Sequence, residues 1–161
     1  MWRELIEIMD DLRRIYQGLA SLEQKKHRAL VTVDLPQVET LTKEEQLLIN
    51  QVTKLEAKRR GVVLRLAARQ YDQAYELTFG EVIDMAPAGA VRGKLQKLQE
   101  SLAQSVQATK EQNEINSILA RGALNAVEAN LNKLGGARVL PNYGNGGQTL
   151  VTRHRNFEYD A

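Results

Sequence analysis

From Val91 to Leu134 the chain runs forty-four residues without a proline and reads as one long helix. At 1.5 Å per residue such a helix extends on the order of 65 Å. No small globular core covers that length, so its far half must offer an apolar stripe to another helix, of this chain or of a partner. The first half carries Val91, Leu95, Leu98 and Leu102, spaced 4, 3 and 4 apart. The second carries Ala120, Leu124, Val127, Leu131 and Leu134, spaced 4, 3, 4 and 3. Each set makes an apolar stripe on one helix face. The two stripes are not in the same phase: eleven residues separate Leu102 from Asn113, and eleven more separate Asn113 from Leu124. That spacing relaxes left-handed supercoiling. The zone between is largely polar, with Ser105, Gln107, Thr109, Gln112, Asn113, Asn116 and Ser117.

Two more long helices precede this one. Leu5, Ile8, Leu12, Ile15, Leu19 and Leu22 are spaced 3, 4, 3, 4 and 3, with Ile6, Met9 and Tyr16 widening the stripe, which predicts a helix over about 2–32. Gly18 lies inside it and reads as a tolerated glycine. Val33-Asp34-Leu35-Pro36 is a turn, with Asp34 as N-cap and the proline in the first turn of the next helix. So short a connection makes the two helices antiparallel neighbours. The second helix is predicted over about 36–72, with Val38, Leu41, Leu48, Val52, Leu55, Val62 and Leu66 on a seven-residue lattice. Glu45 and Arg59 fall on lattice points, where long stems can lie on the seam and carry their charges outward. Lys58-Arg59-Arg60 reads as a solvated face with Glu56 close enough for ion pairs.

Thr78-Phe79-Gly80-Glu81 matches a capping box and predicts a short helix over 79–85. Its Phe79, Val82, Ile83 and Met85 would plug the end of the helical hairpin. The Ala86–Gly89 break then leads into the third long helix, over 91–134. Gly135-Gly136 stops it. The fold class is therefore all-α: an elongated antiparallel helical bundle or coiled coil of three long helices plus one short helix, with a flexible C-terminal tail. The expected division is a helical domain over 1–134 and a glycine-rich tail over 135–161. The tail keeps Val139, Leu140, Tyr143, Leu150, Val151, Phe157 and Tyr159, so it is expected to order on a partner.

Composition narrows the function. Apolar residues make up 43% but aromatics only 5%, so the core must be aliphatic, as in helical bundles. The chain has no cysteine, which removes disulfides and thiolate metal sites. There is no signal-peptide pattern at the N-terminus and no run of 18 apolar residues, so neither secretion nor membrane insertion is expected. A cytoplasmic setting fits. The net charge of +2 argues against nucleic acid as the main partner. The two histidines, His27 and His154, each sit between basic residues, have no companion at metal-ligand spacing, and read as solvated. Glu44 and Glu45 are adjacent and point to different sides of their helix. The glycines of 144–147 lack the strand and helix of a phosphate loop. No enzyme activity, cofactor or metal is expected. Asn113 and Asn116 share a helix face, either as a polar layer fixing register or as a direct partner contact.

The order of these features resembles the FlgN family of flagellar export chaperones over nearly the whole chain. The features are the Asp34/Pro36 turn, the segment Leu41-Thr42-Lys43-Glu44-Glu45-Gln46-Leu47-Leu48, the capped Thr78-Phe79-Gly80-Glu81-Val82-Ile83, the Asn113-x-x-Asn116-x-x-Leu119 pattern and Tyr143-Gly144-x-Gly146. The resemblance implies a cytoplasmic chaperone that holds the hook–filament junction subunits, hook-associated proteins 1 and 3, through its C-terminal region and delivers them to the export gate. Carried onto this chain, the binding stripe is Asn116, Leu119, Ala123, Leu124, Val127, Leu131 and Leu134, with Asn113 beside it and Tyr143 as a gate or cargo contact. Residues 148–161 have no counterpart in that pattern. The alternative is a structural coiled-coil or adaptor protein whose stripes serve self-association, and a homodimer stays open in either case.

Overall fold

The apolar spacings fold into four helices, in a computed structural model that describes residues 1–70, 77–135, 137–139 and 151–153. They are α1 (Trp2–Val31), α2 (Leu35–Gln70), α3 (Phe79–Met85) and α4 (Ala90–Gly135). Two short strands follow, β1 (Ala137–Val139) and β2 (Val151–Arg153), paired antiparallel with Val139 opposite Val151. The three long helices and one short helix are those the periodicity predicts. The strand pair was not expected. Val139, Val151 and Thr152 are β-branched and suit extended backbone, a signal overshadowed by the glycines between them. The chain divides into two compact units, residues 1–116 and 117–161.

In the first unit α1 and α2 form a tight hairpin. The turn closes α1 with paired backbone bonds, Asp34 N–H to the Ala29 oxygen at 2.8 Å and Val33 N–H to the Leu30 oxygen at 3.2 Å. This is a Schellman motif, and its left-handed position is usually glycine. Here it is Val33, at φ 56°. Asp34 then starts α2 as expected, its Oδ1 accepting from the Gln37 N–H at 3.1 Å. At the opposite end of the hairpin Arg65 lies 2.8 Å from Glu4, as the antiparallel arrangement requires.

α4 joins through its first half. Leu95 and Leu98 are buried with Leu5, Met9 and Leu12 of α1 and Val62, Val63 and Leu66 of α2. Further along, the Thr109 hydroxyl donates to the Tyr16 oxygen at 3.3 Å, so α4 runs parallel to α1. Gly89 makes the entry into α4 at φ 99°, a conformation that favours glycine.

The expected plug forms. Val82 is fully buried in the same core, with Phe79, Ile83 and Met85 packed against it and Leu77 and Ala86 added. The capping box closes in both directions between Thr78 and Glu81. Arg92 of α4 ties the plug down by donating to the carbonyl oxygens of Asp84 and Ala86 at 2.6 and 2.8 Å. Each large aliphatic side chain buried here contributes about 1.5–3 kcal/mol.

The expected phase break in α4 does not occur within the first unit. Leu95, Leu98, Thr109, Asn113 and Asn116 all face the α1–α2 hairpin. The reason is arithmetic. Eleven residues are about three turns at 3.6 residues per turn, so Asn113 stays on the face of Leu102. Counting by heptads separates positions that a straight helix keeps together. What changes along the face is its polarity.

Gly18 is the tolerated glycine of the sequence reading: a Cβ there would meet only Leu48 Cδ1, at an ordinary 3.8 Å.

Candidate partner-binding site

The residues singled out on α4 separate into two groups. The first is Asn113 and Asn116, and it is internal. Asn116 is 2% exposed. Its Nδ2 donates to the Glu23 backbone oxygen at 2.8 Å and to Glu23 Oε2 at 2.7 Å. Its Oδ1 lies 3.1 Å from His27 Nδ1. Asn113 Nδ2 donates, at longer range, to Glu23 at 3.4 Å and Glu45 at 3.5 Å. These bonds join α4 to α1 and α2 in a polar layer.

Glu23 is fully buried and Lys26 nearly so. The Lys26 ammonium sits 2.7 Å from both Glu23 and Glu45. Glu45 therefore turns its charge inward, not outward as expected, because the ammonium in the seam compensates it there. His27, expected to be solvated, is half-buried against Asn116. The carboxylate pair dismissed within α2, at Glu44 and Glu45, exists between helices as Glu23 and Glu45. Sequence reasoning missed it because Glu23 and Lys26 lie beside the basic run Lys25–Arg28, which reads as surface. The 3-residue step from Glu23 to Lys26, on the flank of the Leu19/Leu22 stripe, was the available signal.

Two carboxylates share one ammonium, so the layer is short of positive charge. Burial works to raise Glu23, but hydrogen bonds with Glu45, Lys26 and Asn116 outweigh it and hold that carboxyl below its ordinary range. Burial and the neighbouring Glu23 push Glu45 up, against the pull of Lys26. Lys26 is raised: its bonds to Glu23 and Glu45 overcome the burial penalty. Glu45 is thus the first of the pair to take a proton.

The second group lies in the second unit, on α4 residues 117–135. Leu124, Val127, Leu131 and Leu134 are 58%, 49%, 61% and 87% exposed, with Leu119 and Ala123 half-buried. Spaced 3, 4 and 3 apart, these four make a bare apolar stripe along about three turns. Ile118, at 69%, adds to the exposed apolar surface. Tyr143 lies outside the described residues, as does His154. Among the described residues no group of His, Asp and Glu could hold a metal ion, and no helix is long and apolar enough to cross a membrane.

A protein-family model described as FlgN protein matches residues 1–150. No curated protein and no solved structure matches the chain.

Proposed function

Because this chain belongs to the FlgN family of flagellar export chaperones, we propose that it holds the terminal helical segments of the hook–filament junction subunits, hook-associated proteins 1 and 3, and hands them to the export gate from the cytoplasm. The exposed stripe of Leu124, Val127, Leu131 and Leu134 carries the proposal. An apolar helix face left bare in water is a docking surface for another amphipathic helix. Leu119 and Ala123 flank it, and Tyr143 completes the contact to cargo or gate. Asn113 and Asn116, which the resemblance sets beside the stripe, also bond to Glu23 and Glu45 of the hairpin.

Burial of the stripe stabilises the complex by about 25 cal/mol per Å² of apolar area, less the ordering costs of association. Those costs leave a reversible complex, which suits a subunit that has to be released for export.

The test is calorimetric titration with the C-terminal helical segment of each junction subunit, using the full chain and a chain ending at Asn116. The cut falls after Asn116 because a shorter chain would orphan Glu23. Micromolar or tighter binding lost on truncation is the expected result (about 8 kcal/mol of binding free energy). Absence of binding by the folded full chain, together with concentration-dependent self-association, would favour the coiled-coil adaptor reading.

A further inference from the structure

Within the first unit, away from the stripe, the α1–α2 hairpin carries a groove of about 420 Å³. Ile15 of α1 and Leu55 of α2 lie in it, with Arg14, Lys54 and Lys58 around them and Asp11 as its one acidic residue among the described residues. Nothing from α3 or α4 lines it. We propose that this groove docks an acidic amphipathic helix of a partner protein, its apolar side chains on Ile15 and Leu55 and its carboxylates against Lys54 and Lys58.

Charge and shape select that occupant. Several exposed bases of the hairpin are locally satisfied: Lys43 by Glu39, Arg3 by Glu7, and Arg14 itself by Asp10 at 2.6 Å. Lys54 and Lys58 are exposed and have no ion pair among the described residues. They stand one turn apart, the spacing at which two carboxylates on a facing helix would also stand. The apolar element is not confined to the floor. Leu47, Gln51, Lys54 and Lys58 follow at steps of 4, 3 and 4, so they form one row on α2, and Leu47 at its end is 63% exposed. On α1 the next turn after Ile15 brings Gly18, which is exposed and adds no side chain. The row spans about three turns, enough to seat a helix and too long for a small anion. A second copy docked groove to groove would bring two net-positive surfaces together, each with Arg14, Lys54 and Lys58 against Asp11. An acidic helix neutralises them instead. The proposal does not rest on the C-terminal stripe.

The experiment uses the full chain, isotope-labelled for methyl shifts, and two synthetic amphipathic peptides of about eighteen residues, five turns. Both carry leucines at helical spacing. One has glutamates beside the leucines, the other lysines. The expected result is binding of the glutamate peptide, with shifts at Ile15, Leu47 and Leu55. The double variant Lys54→Glu/Lys58→Glu should lose affinity for it on the order of tenfold or more and gain affinity for the lysine peptide. Gly18→Leu, which adds a side chain one turn along from Ile15 while favouring the helix, should weaken the shifts without lowering the melting temperature. Equal binding of both peptides, or no shift at Ile15 and Leu55 with either, overturns the proposal. So does self-association of the unliganded chain that the double variant abolishes, because a second copy would then own the groove.

Discussion

Asn116 and Glu23 stand 93 positions apart in sequence and are joined twice, the amide of one donating to both the backbone oxygen and the carboxylate of the other. The pair pins α4 to α1 in one register. A slip of α4 that brought Ala120 to Glu23 would leave a buried carboxylate without this donor, and one that brought Gln112 would put a longer amide in place of the one that fits. Apolar stripes tolerate sliding, because one leucine packs much like the next. A buried polar pair does not, since an unsatisfied group costs several times what a hydrogen bond contributes.

Asn116→Asp is the sharpest probe of that statement. It keeps the shape and replaces the donor by an oxygen facing Glu23. The expected loss is about 3 kcal/mol at neutral pH, read from urea unfolding, and part of it should return on acidification as one carboxylate is neutralised. A loss below about 1 kcal/mol would mean that the layer does not set the register.

The pH dependence follows from the opposite shifts of the two carboxylates. Glu45 is raised above 4.5 in the fold, so on acidification from neutral the folded state takes up that proton before the unfolded chain does, and stability rises. Glu23 is lowered below 4.5, so its contribution is present above that value and is lost as pH falls through its folded value. On acidification from neutral, stability should therefore first rise as Glu45 takes its proton and then fall as Glu23 does. Glu45→Gln mimics the protonated form. It should lie within about 1 kcal/mol of the native protein at pH 7 and remove the acid-side rise, whereas Glu23→Gln should cost about 3 kcal/mol. Unfolding curves across pH for the three proteins check this. A Glu45→Gln variant as unstable as Glu23→Gln would refute the assignment.

The helices, their order and the capped plug were legible because apolar spacing and capping chemistry are local. Leu5 to Leu22 announces α1 without reference to anything else, and Thr78 with Glu81 announces α3. The polar layer was not legible, because it is made between helices. Glu23, Lys26, Glu45 and Asn116 come from three elements, and each alone resembles a surface residue. Heptad counting likewise sets Asn113 off the face of Leu102, where a helix of 3.6 residues per turn keeps the two together. On the proposed stripe the residues Leu124 to Leu134 were legible from their spacing, but that spacing does not name what covers them.

Val33 adopts φ 56° with a β-branched, 63% exposed side chain. The left-handed conformation costs such a residue roughly 1–2 kcal/mol, a cost glycine does not bear. Val33→Gly should then raise stability by about 1 kcal/mol, since glycine's larger unfolded-state entropy offsets part of the relief. Thermal unfolding reads this as a higher melting temperature. A lower one would show that the exposed Val33 side chain makes a contact worth more than the strain.

The stripe itself separates from the fold by mutation. Leu131 is 61% exposed, so Leu131→Asp removes little packing from the free chain and its melting temperature should hardly move. Bound under a cargo helix, the same aspartate would be a buried, unpaired charge, which costs several kcal/mol. Binding of the junction-subunit segment should fall on the order of a hundredfold, about 2.7 kcal/mol. Ala129→Asp is the control. Ala129 is also exposed, but it stands two residues from Leu131 and therefore faces away from the stripe. It adds the same charge to the same helix and should leave binding within about twofold. Equal losses from the two variants would indicate a general charge effect and remove the stripe as the docking face.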